Sequence, residues 1–278
     1  MRDGLAIARA LGGRRIRGGF SFRCPLHSDK HPSAAIRERD SLITCFAGCD
    51  RRALGAALDQ LGFPDDGADA DPMSPEELQQ SEQEAAEYAQ LFWSASRIAT
   101  LDHEYLTEWL TKRGIRLPIP DHCVRVVAAT RPYFYGRIAK CQRLDGTVCA
   151  VHLRDYRTKN KGFIHGVMSG QGAAVQLAAP INHELGVGEG VETCLAAQQL
   201  FGISTWASLG SVWLPYVAIP PGVRTVHLFI DNDPAGLKAM KIATRRYTQQ
   251  GFDVRQWVPP KEGQDWNDFL KELANAKT

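Results

Sequence analysis

The sequence predicts an α/β protein in several parts: a small module built on a Cys/His set, a helical linker, and an α+β core that ends in a parallel sheet. Three observations predict it. Two close Cys/His pairs, Cys24 with His27 and Cys45 with Cys49, lie in the first 50 residues. An acidic stretch bearing turn residues, Pro64 to Pro72, separates them from the rest. From Leu185 onward, apolar strand candidates alternate with helical patterns, the signature of a parallel sheet with right-handed crossovers.

The elements follow in order. Leu5–Leu11 reads as a short helix ended by Gly12-Gly13. Arg14, Arg15, Arg17, Gly18 and Gly19 read as a flexible basic segment. Cys24-Pro-Leu-His27 and Cys45-Phe-Ala-Gly-Cys49 supply three thiols and one imidazole, a closed tetrahedral zinc set whose metal is structural. His31 offers a competing nitrogen. Ala34–Ile36 and Leu42–Thr44 read as the hairpin that brings the two pairs together, and Arg51–Leu61 as a helix packed on the module.

Ser74-Pro-Glu-Glu starts a helix that extends to about Ile98, because Ser caps it, Pro takes the first position and acids fill the first turn. Glu104–Ile115 reads as a second helix, ended by Gly114. Strand candidates follow at Cys123–Ala128, Tyr135–Lys140 and Val148–Leu153, the last two joined by Asp145-Gly146. The loop from Asp155 carries Arg157, Lys159 and Lys161; with Arg154 before it, four cations beside a glycine suit a groove that tracks a phosphate backbone. His152 reads as a structural residue more readily than as a base.

In the last block, Leu185–Gly188 ends in Glu189-Gly-Val-Glu192, and Thr193–Phe201 is the helix after it. Ser204–Ser208 is a second strand. Val226–Ile230 ends in Asp231-Asn-Asp233, followed by a helix over Ala235–Gln250. Val254–Val258 is a strand, and Asp265-Trp-Asn267-Asp268 opens the helix Trp266–Ala274. Strand ends in an open α/β sheet meet at one crevice, so these turns converge about four or five carboxylates there. Carboxylates that close repel unless a cation lies between them, and Mg²⁺ takes one or two carboxylates together with substrate phosphates.

Composition agrees with a globular chain that works on a polyanion. Apolar residues make up 44% of it, and the net charge of +2 hides strong segregation. Residues 1–52 carry 11 Lys/Arg against 5 Asp/Glu, 53–104 carry 1 against 12, 105–180 carry 12 against 4, and 181–278 carry 9 against 10. Basic blocks suit nucleic acid, although a solvated surface has the same composition. No apolar run is long enough to span a membrane and no signal peptide is recognisable, so no membrane partner is expected. Irregular cysteine spacing argues for a reducing cytoplasm, with Cys123, Cys141, Cys149 and Cys194 as buried thiols.

These motifs resemble a known family. The Glu189-Gly turn, Asp231-x-Asp233 with Gly236, and Asp265-x-Asn267-Asp268 resemble the Toprim domain shared by DnaG-type primases, some topoisomerases and certain nucleases. Cys-Pro-x-His followed by Pro32-Ser33, then Cys-Phe-x-x-Cys, resembles the CHC2 zinc module of the same primases, with a second pair one residue longer. That match favours His27 over His31. Glu-Gly-Val-Glu-Thr is most similar to primases of phages, plasmids and other mobile elements. Thr193 stands where the DnaG-type pattern has Asp.

The resemblance implies a zinc-ribbon domain over 1–63, an acidic linker and helix over 64–100, a basic primase subdomain over 101–180 and a Toprim domain over 181–278. It implies DNA primase activity: metal-dependent nucleotidyl transfer making primers on single-stranded DNA from nucleoside triphosphates. Glu189, Asp231 and Asp233 are the implied catalytic residues. They hold Mg²⁺ or Mn²⁺ together with Asp265 and Asp268. Arg14, Arg15, Arg17, Arg37, Arg154, Arg157, Lys159 and Lys161 are the implied nucleic-acid or nucleotide contacts. No nucleotide-binding P-loop is present, so a helicase, if needed, is expected as a separate chain. A Toprim nuclease and an inactive nucleic-acid-binding accessory protein are the alternatives.

Overall fold

The computed structural model describes residues 1–16, 18–29, 32–38, 41–46, 49–65, 75–96, 110–116, 120–130, 133–155, 161–166 and 172–276, without the side chains of 75–78, 81, 126–130, 133–135 and 161–166. The chain forms two compact units, Met1–Leu78 and Gln79–Thr278.

Unit 1 is an antiparallel meander flanked by helices. Helix α1 (Gly4–Ala10) is capped by Asp3, whose carboxylate accepts from the Ala6 N–H. Strands β1 (Arg14–Ile16), β2 (Gly19–Phe22), β3 (Ala34–Arg37) and β4 (Ile43–Cys45) pair in sequence order. Helix α2 (Arg51–Gln60) is capped by Asp50 through the Ala53 N–H. Ile7, Phe20, Phe22, Ile36, Leu54 and Leu58 form the core.

The expected flexible segment is instead ordered in its described part, forming β1 and the start of β2. Its glycines serve close approach: a Cβ on Gly13 would lie 1.8 Å from Ser21 O, and one on Gly19 would lie 2.1 Å from Ile36 O. Gly18, at φ +73°, turns the hairpin. Glycine here marks tight backbone packing and not looseness.

Unit 2 begins with most of α3 (Pro75–Ala95), whose Ala89 and Trp93 pack on Ile138, Val148 and Val151. Arg125 reaches back to cap that helix, donating to the Trp93 and Ser96 carbonyls at 2.7 and 2.6 Å. The second helix expected at 104–115 lies largely outside the described residues; 110–112 are helical and Gly114, at φ +66°, ends them. An antiparallel sheet follows, of β5 (Val124–Thr130), β6 (Tyr133–Gln142), β7 (Val148–Asp155) and β8 (Lys161–Gly166), in that order.

The C-terminal sheet has the order β13-β12-β10-β11-β9. β10 (Glu184–Gly188), β11 (Thr205–Ala207), β12 (Thr225–Phe229) and β13 (Asp253–Trp257) are parallel, and β9 (Val175–Gln176) runs antiparallel at the edge. Helices cover both faces. On one, α5 (Pro234–Gln249) sets Ala239, Ala243 and Tyr247 against Leu185, Val187, Val226 and Leu228. On the other, α4 (Val191–Phe201) and α6 (Trp266–Asn275) bury Ala196, Ala197, Trp266 and Leu270 around Phe229. β10 is followed by β11 on one side and flanked by β12 on the other. The strand order therefore reverses beside β10, and this is where such sheets open a ligand crevice. Among the described residues no helix is long and apolar enough to cross a membrane.

Candidate metal sites

The first site is in unit 1. Cys24 and His27 follow β2, Cys45 ends β4 and Cys49 precedes α2. Pairing of β3 with β4 places Cys45 beside Ala34 and brings the second pair to the first. The four ligand atoms all lie within 4.8 Å of one another. Cys24 Sγ is 3.9 Å from Cys49 Sγ, and His27 Nε2 is 3.4 Å from Cys45 Sγ. Without a cation, burial pushes the Cys24 thiol up to about 12. Three sulfurs and one imidazole with no position left over fit a structural Zn²⁺, which binds thiolates and would reverse that shift. His31 lies outside the described residues.

Cations line the exposed face of the same unit. Arg14 and Arg15 project from edge strand β1, and Arg37 ends β3. Arg15 is engaged locally, 3.0 Å from Glu38 and 5.4 Å over the Phe20 ring. Arg17 lies outside the described residues.

The second site lies at the carboxyl edge of the parallel sheet. Glu189 directly follows β10, and Asp231 stands two residues past β12, its neighbour. One oxygen of each carboxylate, Glu189 Oε1 and Asp231 Oδ1, is fully buried. Gly236 leaves room for the first and for the backbone of the second: a Cβ there would lie 2.8 Å from Glu189 Oε1 and 2.4 Å from the Asp231 backbone carbonyl. The third carboxylate turn is clamped to the second. Asn232 N–H donates to Gln264 O at 2.9 Å, Gly263 N–H to Asn232 O at 2.6 Å, and the Asn232 amide to Pro259 O at 2.8 Å.

The acids in these turns do different things. Asp233 caps α5, accepting from Gly236 N–H at 2.7 Å. Asp265 caps α6, accepting from Asp268 N–H at 2.6 Å. Asp268 is exposed and 2.5 Å from Lys271 Nζ. Among the described residues the Cys/His set is the one group of three or more ligand atoms drawn that close together. Asn267 is fully buried and faces away, its amide donating to Arg113 O at 2.7 Å while its oxygen accepts from Arg113 Nη1 at 3.2 Å.

Glu192 and Thr193 are both buried in the first turn of α4. Glu192 is committed to Arg137 of β6 by two bonds, Nε to Oε1 at 3.0 Å and Nη2 to Oε2 at 3.2 Å. Arg154 Nε lies 4.0 Å away. Burial alone would raise the Glu192 carboxyl, but Arg137 first and Arg154 second hold it down at about 2. Arg137 also donates to His152 Nδ1 at 3.4 Å, so His152 is a buried member of this network. Lys161 pairs with Arg154 across β7 and β8, which places it on the same edge; Arg157 and Lys159 lie outside the described residues. Arg137 escaped the sequence analysis. Its only signal was a charge followed by Ile138 and Ala139 in a strand, and its partner is 55 residues away.

A switch-point crevice edged by Glu-Gly and Asp-x-Asp turns is what this part of the chain presents. Residues 184–276 match the family model of the Toprim domain, so this part of the chain is a Toprim domain. Among curated proteins none matches the sequence. The structure is similar to that of the Aquifex aeolicus primase zinc-binding and RNA polymerase domains, at 16% identity and TM-score 0.45 over 98% of this chain and 80% of that one. It is also similar to the primase fragment of the bacteriophage T7 primase-helicase (17%, TM-score 0.45, 66% of this chain and 74% of that one). A DnaG primase catalytic domain bound to single-stranded DNA gives 16%, TM-score 0.44, 73% of this chain and 81% of that one.

Proposed function

We propose that this chain is a DNA primase, a nucleotidyltransferase that joins nucleotides on a single-stranded DNA template. One observation carries the reading: carboxylate turns with buried oxygens stand at the switch point of a Toprim sheet, in a chain that also builds a Cys₃His module. In the proposed division of labour, residues 1–63 hold zinc and contact template, 64–100 link, 101–180 supply cations and 181–278 carry the chemistry.

In the reaction, a 3′-hydroxyl attacks an α-phosphate and pyrophosphate leaves. Glu189 and Asp231 are hard oxygen donors on adjacent strand ends, with Gly236 leaving room for Glu189 Oε1, and this set fits Mg²⁺ or Mn²⁺. Bound there, such an ion would neutralise charge that develops on the transferring phosphate and the leaving pyrophosphate. Glu189 orients the attacking hydroxyl and takes up its proton. Asp233 holds α5, and hence the Gly236 gap, in place through its cap. Asp265 and Asp268 extend the acidic edge. Arg154 on β7, with Arg157, Lys159 and Lys161 after it in sequence, supplies the cations for the triphosphate. Arg14, Arg15, Arg17 and Arg37 steer template in a salt-dependent way.

The test is incubation with single-stranded DNA, labelled nucleoside triphosphates and Mg²⁺ or Mn²⁺, read on a denaturing gel beside Glu189→Gln and Asp231→Asn. These variants leave both helix caps intact. Short oligomers that vanish in both variants are expected. Template cleavage without synthesis would move the assignment to a nuclease. Zinc-dependent DNA binding with no product, across several templates and both metals, would make the chain an accessory binding protein disabled at Thr193.

A further inference from the structure

The densest set of directional contacts around the Cys/His set converges on a residue that is not a ligand. Asp29 Oδ1 lies 3.3 Å from His27 Nδ1, and its side chain is only 10% exposed. Asp29 Oδ2 accepts from the backbone N–H of Cys24 at 2.7 Å and from Ser33 Oγ at 2.5 Å. Ser33 Oγ in turn stands 3.2 Å from His27 Nε2 and 3.9 Å from Cys45 Sγ. The Ser33 carbonyl accepts from Phe46 N–H at 2.7 Å, next to Cys45. One carboxylate therefore touches both ligands of the first pair directly, and reaches the second pair through Ser33.

We propose that Asp29 is the positioning residue of the zinc site, holding the proton on His27 Nδ1 so that Nε2 is the ligand atom. A carboxylate only accepts, and a neutral imidazole has one N–H, so the nitrogen facing Asp29 is the one that carries it. Nε2 then presents its lone pair toward Cys45 Sγ, 3.4 Å away. Ser33 protects that lone pair. Its hydroxyl has one proton, and Asp29 Oδ2 takes it, so Ser33 cannot donate to Nε2. A second carboxylate oxygen on the Cys24 N–H fixes the other ligand of the pair at the same time. Such partners orient metal-bound histidines generally, and losing one costs about 10–100-fold in metal affinity.

Asparagine separates this role from that of a plain turn cap. Three donors meet two oxygens at Asp29, and an amide offers only one. If its NH₂ faces His27, the ring must shift its proton to Nε2, which then cannot ligate. If its oxygen faces His27, the Cys24 N–H and the Ser33 hydroxyl meet a donor.

The inference rests on the zinc assignment, and metal analysis of the purified protein separates the two: a chain without stoichiometric zinc fails that assignment first. The experiment has two arms on the full chain. In the zinc-loaded wild type, long-range ¹⁵N–¹H correlation of the histidine rings is expected to show His27 with Nδ1 protonated and Nε2 metal-bound. A ring bound through Nδ1, or a site ligated by another histidine with His27 free, would overturn the proposal without any variant. In the second arm, chelator competition is expected to give Asp29→Asn about 10–100-fold weaker zinc binding and Ser33→Ala a smaller loss. Co²⁺ loading of Asp29→Asn is expected to perturb the tetrahedral S₃N absorption bands. Asp29→Asn with wild-type affinity and unchanged Co²⁺ bands would also sink it.

Discussion

In unit 1, four ligand atoms stand within 4.8 Å of one another. At the edge of the Toprim sheet, Glu189 and Asp231 each keep one carboxylate oxygen buried at a strand end, while Asp233 and Asp265 accept from backbone N–H groups at helix N-termini. The difference follows from charge. Protonated thiols and a neutral imidazole can be packed together by a hairpin before any ion arrives, so backbone geometry alone sets the first site. Carboxylates packed as closely would repel or take up protons. The second site instead holds two of its acids, Asp233 and Asp265, on backbone N–H groups, and on the proposed reading its assembly waits for substrate phosphates and their cation. A structural site belongs to the fold, and a catalytic one to the fold plus its substrate.

Zinc removal tests that contrast most strongly. A closed structural site contributes apparent folding free energy on the order of 10 kcal/mol. Chelation is expected to abolish hydrogen-exchange protection in β2–β4 and α2, whereas Mg²⁺ removal should leave exchange unchanged everywhere. Melting on Mg²⁺ removal would erase the distinction between the sites.

Asp231→Asn comes next. It keeps the shape of a partly buried side chain and removes its charge, so primer synthesis is expected to fall about 10³-fold, near 4 kcal/mol of transition-state stabilisation. The melting temperature should stay close to that of the wild type. A variant that unfolds would instead make Asp231 a structural residue like Asp233.

Glu192→Gln probes the buried pair behind the catalytic edge. Removing one partner of a buried ion pair costs about 3–5 kcal/mol, because Arg137 is left uncompensated. The pH dependence has a definite sign. The Glu192 carboxyl lies at about 2 when folded, below its ordinary 4.5. Its contribution is therefore complete above the ordinary value and is lost as pH falls toward the folded one. Urea midpoints between pH 6 and pH 3 are expected to converge for wild type and Glu192→Gln as the pH drops. Parallel curves would mean that the pair adds no pH-linked stability.

Much of this was legible in the residues, and what was not has a common cause. The Cys/His spacing is local, so all four ligands could be read before the fold. Caps are local too, yet in sequence Asp233 and Asp265 read as ligands of an ion, and their helix N–H partners emerge only in the structure. The basic stretch at Arg14–Gly19 misled because glycine permits both looseness and close strand approach, and only the neighbouring Ser21 and Ile36 carbonyls decide between them. Arg137 with Glu192 was hidden because its meaning depends on a partner on a helix 55 residues further along the chain. Asp29 was hidden for a milder reason, since an Asp near a turn reads as an ordinary turn residue, and Ser33 was legible only as part of the family motif.

The smallest expected effect bears on the boundary between cap and ligand. Asp265→Asn preserves the α6 cap, since Asn and Asp cap about equally well, but it deletes a charge beside the clamped Asp231–Asp233 turn. Asp268→Asn deletes a charge that already faces Lys271 on the helix surface. Neither should move the melting temperature measurably. If the third turn serves the ion, Asp265→Asn lowers primer synthesis and raises the Mg²⁺ concentration needed for half-maximal rate, while Asp268→Asn changes neither. Equal and negligible effects would make Asp265 a helix cap alone and confine the metal site to Glu189 and Asp231. Equal and large effects would mean that α6 turns its first residues toward the crevice once substrate is bound, and that the Asp268–Lys271 contact breaks as the site assembles.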